Sequence, residues 1–177
     1  MKAISCSQKQ QLIFEIVLIL AFTFLMVLSA YVRIPLFFTP VPITMQTFVV
    51  YLSIIFLKNK AFLSQGAYVF FGLVGLPVFT NFGSGFIYLL GPTGGYILGF
   101  FAATIIFSRL LPGERTFFKN FFFFFLVASV IYTPGIIWLM LFHKFSFASA
   151  VSAGLLPFIG GEIFKISLAS IIATKIK

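Results

Sequence analysis

Only one pair of residues in this chain brings opposite charges together inside an apolar segment. It is Glu162 and Lys165, within Leu-Pro-Phe-Ile-Gly-Gly-Glu-Ile-Phe-Lys (156–165). A carboxylate accepts hydrogen bonds and an ammonium donates them, so the two together could recognise a polar ligand or move a proton. Three residues apart, they share one face of a helix. Lys165 precedes Lys175 by ten residues, about 15 Å along a helix, which puts it near the middle of a membrane if this segment spans one. Charges at that depth are costly and face a cavity or each other. Two readings follow, a mutually neutralising structural pair and a ligand site. The second is preferred because ionisable groups inside membrane segments are functional by default.

Asn81, Ser84, Thr93 and Tyr96 are polar groups in or beside a charge-free stretch, TNFGSGFIYLLGPTGG (80–95). Gly91, Gly94 and Gly95 would let backbone approach a ligand closely. A helix beginning near Gly95 would offer free N–H groups to an anion such as a carboxylate. Glu15, the other acid in an apolar run, is expected at an interface, where polar groups near span ends reach the headgroups. Metal and nucleophile chemistry find no material. There is one cysteine, Cys6, one histidine, His143, and no aspartate. A metal site needs several such ligands, and His143 reads as an exposed residue at a helix end. GPTGGY lacks the lysine of a nucleotide-binding loop, so an energised function must borrow its ATPase from another polypeptide.

The elements that must position these groups are membrane helices. Of the 177 residues 61% are hydrophobic and 8% charged, and mean hydropathy is +1.16. Soluble domains carry about 25% charged residues, and so much apolar surface needs lipid to cover it. A span takes about 20 apolar residues. Six segments qualify as helices, at about 11–32, 44–57, 61–79, 95–111, 121–142 and 149–174, the last broken near Pro157. They form an all-α, six-helix bundle with an outward-facing pocket, one integral membrane domain over 1–177. The first apolar run exceeds a signal-peptide core of about 7–15 residues and precedes further spans, so it reads as a retained helix. The run Phe121–Phe125 reads as lipid-facing surface.

Net charge is +9. The basic residues are scattered between apolar runs and form no basic face, which argues against nucleic acid and for a topological role. With six spans, Lys2, Lys9, Lys58, Lys60, Arg109, Arg115, Lys119, Lys175 and Lys177 fall on one side, and only Arg33 and Lys144 on the other. Lys and Arg mark the cytoplasmic side, so both termini are expected there. The proline-rich segment 34–44 and the glycine-rich stretch 80–95 then both face outside. Irregular backbone at membrane depth is tolerated only where protein buries it or a cavity wets it, hence the expected outward pocket.

Three motifs in order, IPLFFTPVPITMQT (34–47), GLPVF with GPTGGY (75–79 and 91–96) and LPFIGGEIFK (156–165), resemble the biotin-specific substrate-capture (S) components of energy-coupling factor (ECF) vitamin transporters. The resemblance covers about residues 15–175. It implies six transmembrane helices, a biotin pocket near the outer surface capped by the loop after the first helix, and as partners a transmembrane T component and a pair of cytoplasmic ABC ATPases. It implies no cofactor, biotin being cargo. The family's polar pocket groups map onto Asn81, Glu162 and Lys165. Glu162 would accept from the ureido N–H groups, while Lys165 and Asn81 would donate to the ureido oxygen. Backbone N–H groups around Gly94, Gly95 and Tyr96, beside Thr93, would take the carboxylate. Val41, Ile43 and Phe79 would wall the thiophane ring and valeryl chain. The sequence departs from the family in two places. Glu162 stands where the acid is usually Asp, and the small-xxx-small face of the first helix is interrupted, as Ala21, Leu25, Ser29. Two further readings remain: capture of another small vitamin on the same scaffold, and a membrane-embedded enzyme using Glu162 as acid/base.

The topology has a direct check. In a Cys6→Ser background, a cysteine at position 38 should react with an impermeant maleimide added to intact cells and one at position 59 should not; the reverse pattern would overturn the assignment.

Overall fold

In a lipid environment every backbone N–H and C=O must find its partner within the chain, which forces long apolar runs into helices. The computed structural model of the chain, which describes residues 8–113 and 116–176, is accordingly all-helical apart from one two-residue ribbon. The helices are α1 (Gln8–Tyr31), α2 (Gln46–Leu57), α3 (Ala61–Leu73), α4 (Gly85–Leu89), α5 (Gly94–Phe107), α6 (Phe117–His143), α7 (Phe147–Gly154) and α8 (Ile159–Lys175). Strands β1 (Arg33–Ile34) and β2 (Ile43–Thr44) pair antiparallel, Arg33 opposite Thr44. Four runs are long and apolar enough to cross a membrane, at 8–31, 46–73, 117–143 and 147–175, and α5 is a shorter apolar helix. The run 46–73 is divided into α2 and α3 at Lys58, whose φ of 50° and ψ of −128° leave the helical region. The run 147–175 is divided by a 3-10 turn at Leu156–Phe158 that carries Pro157.

Several expected boundaries move, each for a local reason. The third helix stops at Leu73 instead of 79, because Gly75 adopts a φ of +99° and turns the chain before Pro77. The fifth begins at Phe117 instead of 121, where the Thr116 hydroxyl accepts from the Lys119 amide as an N-cap. The stretch 80–95 is not one loop; it contains α4 and a 3-10 turn at Thr80–Phe82. In the phenylalanine run, Phe122 and Phe125 are exposed, but Phe123 and Phe124 are buried. Phe124 packs on Tyr51 at 5.2 Å between ring centroids and Phe123 meets Phe107 edge-on. His143 ends α6 half-buried and not exposed. Lys2, Cys6, Arg115 and Lys177, invoked above for charge and for metal and nucleophile chemistry, lie outside the described residues, as does Glu114.

Two ends of the bundle differ in character. At one end the irregular segments gather. The Tyr31 hydroxyl donates to the Pro77 carbonyl, Arg33 Nη2 donates to Asn81 Oδ1 at 2.9 Å, and the Trp138 indole donates to the Gly91 carbonyl at 3.1 Å. The loop between β1 and β2 is hooked down by Thr39, whose buried hydroxyl donates to the Ala153 carbonyl at 2.7 Å while accepting from the Val41 amide. At the other end Glu15 of α1 pairs with Lys60, both partly exposed, as an interfacial acid should be.

Small residues set how closely α5 approaches α6. Gly95, Gly99 and Ala103 recur every fourth residue and are all buried, the spacing that lets membrane helices approach backbone to backbone. A Cβ on Gly95 would run into the Pro134 carbonyl and Trp138 Cβ, and one on Gly99 into the Ile131 carbonyl. By contrast, a Cβ on Gly160 of α8 meets nothing. Gly95→Ala should therefore cost about 1–3 kcal/mol by overpacking, lowering the melting midpoint in detergent by several degrees. Gly160→Ala should leave it unchanged or slightly raised; equal behaviour of the two variants would refute this packing account.

Candidate functional site

Glu162 lies in the first turn of α8, where the helix dipole favours a negative charge. One turn on, Lys165 reaches back so that Nζ lies 2.8 Å from Glu162 Oε2. The pair is buried, 5% and 6% exposed. Attraction alone rarely offsets the desolvation of two ions, so a buried pair needs further hydrogen bonds. Here they are supplied in full. Glu162 Oε1 accepts from the Tyr51 hydroxyl, and Oε2 accepts from Thr47 Oγ1 and the Tyr132 hydroxyl, each at 3.0 Å. Lys165 Nζ donates to Thr47 Oγ1 at 2.7 Å and to the Thr44 carbonyl at 3.2 Å. With Glu162 as the third acceptor, all three ammonium donors are used. Thr47 links the two ions, accepting from one and donating to the other.

Three helices and the ribbon thus converge on one polar knot. The sequence reading missed Thr47, Tyr51 and Tyr132. The first two were visible in principle: Thr47 and Tyr51 stand four residues apart, on one face of a mostly apolar helix. Tyr132 carried no such signal, since Ser129 and Thr133 beside it bond only to the backbone of their own helix.

Above the knot is a cleft. It is lined by Val41 and Pro42 from the proline-rich loop, by Thr44, Gln46 and Thr47 around the start of α2, and by Thr93, Tyr96, Ile97 and Phe100 around α5. Tyr68, Thr80, Tyr88, Tyr132, Phe158 and Lys165 complete the lining. The Gln46 amide donates to the Tyr68 hydroxyl at 2.8 Å, and Tyr96 meets Tyr132 edge-to-face with its own hydroxyl tied to the Gly154 carbonyl at 2.8 Å. Aromatic walls with a few fixed polar groups suit a small amphipathic molecule.

Of the expected site residues, Val41, Thr93, Tyr96 and Lys165 face this cleft. Glu162 stands behind Lys165 and also borders a crevice between α6 and α8. Phe79 is fully buried one layer back, stacked on Tyr88 and edge-on to Tyr68. Ile43 sits in the ribbon opposite Ile34. Gly94 and Gly95 are packing glycines, set against Leu89, Pro134 and Trp138. The amides of Gly94, Tyr96 and Ile97 already donate to the carbonyls of Gly91 and Thr93. Asn81 lies in a second cleft with Arg33, Pro35 and Pro40, which shares Pro42, Thr80, Tyr88 and Thr93 with the first.

The family model of the BioY family matches residues 3–177. The chain belongs to the BioY family. Among BioY proteins it is 36% identical to the biotin transporter BioY of Thermotoga maritima over 162 residues, 88% of this chain and 91% of the relative. It is 40% identical to the probable biotin transporter BioY of Pyrococcus horikoshii over 139 residues, 78% of this chain and 82% of the relative. The fold matches the crystal structure of the S-component for biotin from an ECF-type ABC transporter with a TM-score of 0.85 at 24% identity, covering 93% of this chain and 91% of that one.

The knot makes a quantitative claim about stability. Glu162→Gln alone leaves the Lys165 ammonium buried without its counterion, at a cost of about 3–5 kcal/mol, whereas removing both charges is often nearly neutral. Thermal unfolding in detergent should therefore find Glu162→Gln less stable than Glu162→Gln/Lys165→Met. Additive losses would mean that the two charges do not interact.

Proposed function

We propose that this BioY protein is the biotin-binding S component of an ECF-type ABC transporter, and that it takes up biotin across the bacterial cytoplasmic membrane. The observation that carries the reading is the buried Glu162–Lys165 knot beneath an aromatic cleft, in a chain whose relatives are named biotin transporters. The chain is a transport component and not an enzyme, and biotin is its cargo, not a cofactor.

Six crossings are assigned, by α1, α2, α3, α5, α6 and the broken helix α7–α8, forming a single membrane domain. Both termini lie in the cytoplasm and the ribbon end faces outward, which puts Lys58 and Lys60 inside and Arg33 outside, as Lys/Arg bias requires. The proline-rich loop then lies over the cleft from the outer side.

Binding is an exchange of hydrogen bonds. Lys165 turns from the Thr44 carbonyl or Thr47 to the ureido oxygen, and the ureido N–H groups replace hydroxyl donors on Glu162. No buried charge is left bare at any stage, and a ligand without the ureido pattern would leave polar groups unpaired, the usual source of discrimination in such sites. Thr93, Tyr96, Val41, Ile43 and Phe79 line or back the apolar part. Asn81 stands at the outer mouth with Gly91, Pro92 and Thr93, just ahead of Gly94 and Gly95 in the chain. Because no nucleotide-binding loop exists in the sequence, uphill transport requires a T component and a pair of ABC ATPases as partners.

Titration of the purified protein with radiolabelled biotin tests this. Saturable binding is expected, together with ATP-dependent uptake by cells that also express the T and ATPase subunits. Folded Glu162→Gln/Lys165→Met should bind at least tenfold more weakly, since charge-assisted hydrogen bonds are worth about 1.5–3 kcal/mol each and about 1.4 kcal/mol is a decade of affinity. Glu162→Asp should retain binding. Wild-type affinity in the double variant would remove the pair from the site.

A further inference from the structure

Among the described residues Arg33 is the one cation lining the cleft around Asn81, and the ion pairs formed by Glu15 and Glu162 do not include it. Of the three acids in the sequence, Glu162 is paired with Lys165 and Glu15 with Lys60, while Glu114 lies outside the described residues. Among the described residues Arg33 faces no carboxylate. Its recorded partner is neutral, the side-chain oxygen of Asn81, 2.9 Å from Nη2. Asn81 achieves this from a left-handed backbone, at a φ of 60°, a conformation most residues avoid and Asn tolerates.

The position of Arg33 is tied to the inner knot. It forms β1 opposite Thr44 of β2, and the carbonyl of Thr44 accepts from Lys165 Nζ. The ribbon therefore fixes the guanidinium relative to the ion pair. The outer cleft that Arg33 borders adjoins the inner one, the two sharing Pro42, Thr80, Tyr88 and Thr93 as lining residues. The inner pair is neutral as a whole and cannot balance an anion. Of the turn amides expected to hold an anion, those of Gly94 and Tyr96 already donate to the Gly91 and Thr93 carbonyls. An arginine with one N–H held by Asn81 keeps four more donors, enough for a two-point grip on a carboxylate.

We propose that Arg33, aimed by Asn81, reads the carboxylate of the ligand while the Glu162–Lys165 knot reads its polar ring. The inference rests on the biotin reading given above. Radiolabelled biotin is titrated into the wild type, Arg33→Gln and Arg33→Lys, with unlabelled biotin and the neutral biotin amide as competitors. The wild type should prefer the acid over the amide by about tenfold, the scale of one charge-assisted hydrogen bond. Arg33→Gln should lose that preference while holding the amide as before, which also establishes that it is folded. Arg33→Lys, with charge but no fork, should fall between. An undiminished preference in folded Arg33→Gln overturns the proposal, and so does an equal loss of both ligands in a variant that remains helical and monodisperse. Where Arg33→Gln does not fold, a reduced preference in Arg33→Lys supports the proposal and an unchanged one overturns it. A wild type that binds neither ligand refutes the biotin reading itself, and this proposal with it.

Discussion

A carboxylate and an ammonium sealed inside an apolar bundle constrain everything around them. Neither ion can be left without partners, so α2 must deliver Thr47 and Tyr51, α6 must deliver Tyr132, and the ribbon must offer the Thr44 carbonyl, all to one point. These segments are far apart in sequence and have little other polar reason to meet. The knot fixes which face of each helix turns inward, much as a buried polar residue fixes register in a coiled coil. The breaks in the helices serve the same end. Pro157 stops α7 and lets α8 start with Glu162 in its first turn, where backbone N–H groups favour its charge.

Apolar contact does the rest with small residues in place of large ones. Lipid tails compete with leucine for every leucine, so helices in a bilayer gain by approaching closely. The stripe Gly95–Gly99–Ala103 gives α5 that approach to α6. The same approach holds Tyr96 over Gly135 and within bonding distance of the Gly154 carbonyl, so the packing of two helices sets one wall of the cleft.

The sequence carried the membrane class, the charged pair and the break at Pro157, because each is a rare departure from a uniform background: a charge among apolar residues, or a proline inside a helix. The helix ends were less legible. Gly75 could have been an interior glycine, and only its positive φ makes it a stop. The phenylalanine run hid two core residues because identical side chains carry no periodicity to read. Gly94 and Gly95 pack against Leu89, Pro134 and Trp138, contacts that depend on what lies opposite and that a glycine-rich stretch does not spell out. Tyr132 and the Arg33–Asn81 bond join segments 30 or more residues apart, and no local pattern in the sequence brings them together.

The hook of Thr39 on Ala153 has a kinetic meaning. It fastens the flap between β1 and β2 through a hydroxyl, reaching from the first quarter of the chain to the last. Whatever enters must wait for that hydroxyl to let go, and whatever leaves must wait for the same event. Arrival and departure then share one gate, so loosening the hook would speed both together and alter residence time far more than equilibrium occupancy.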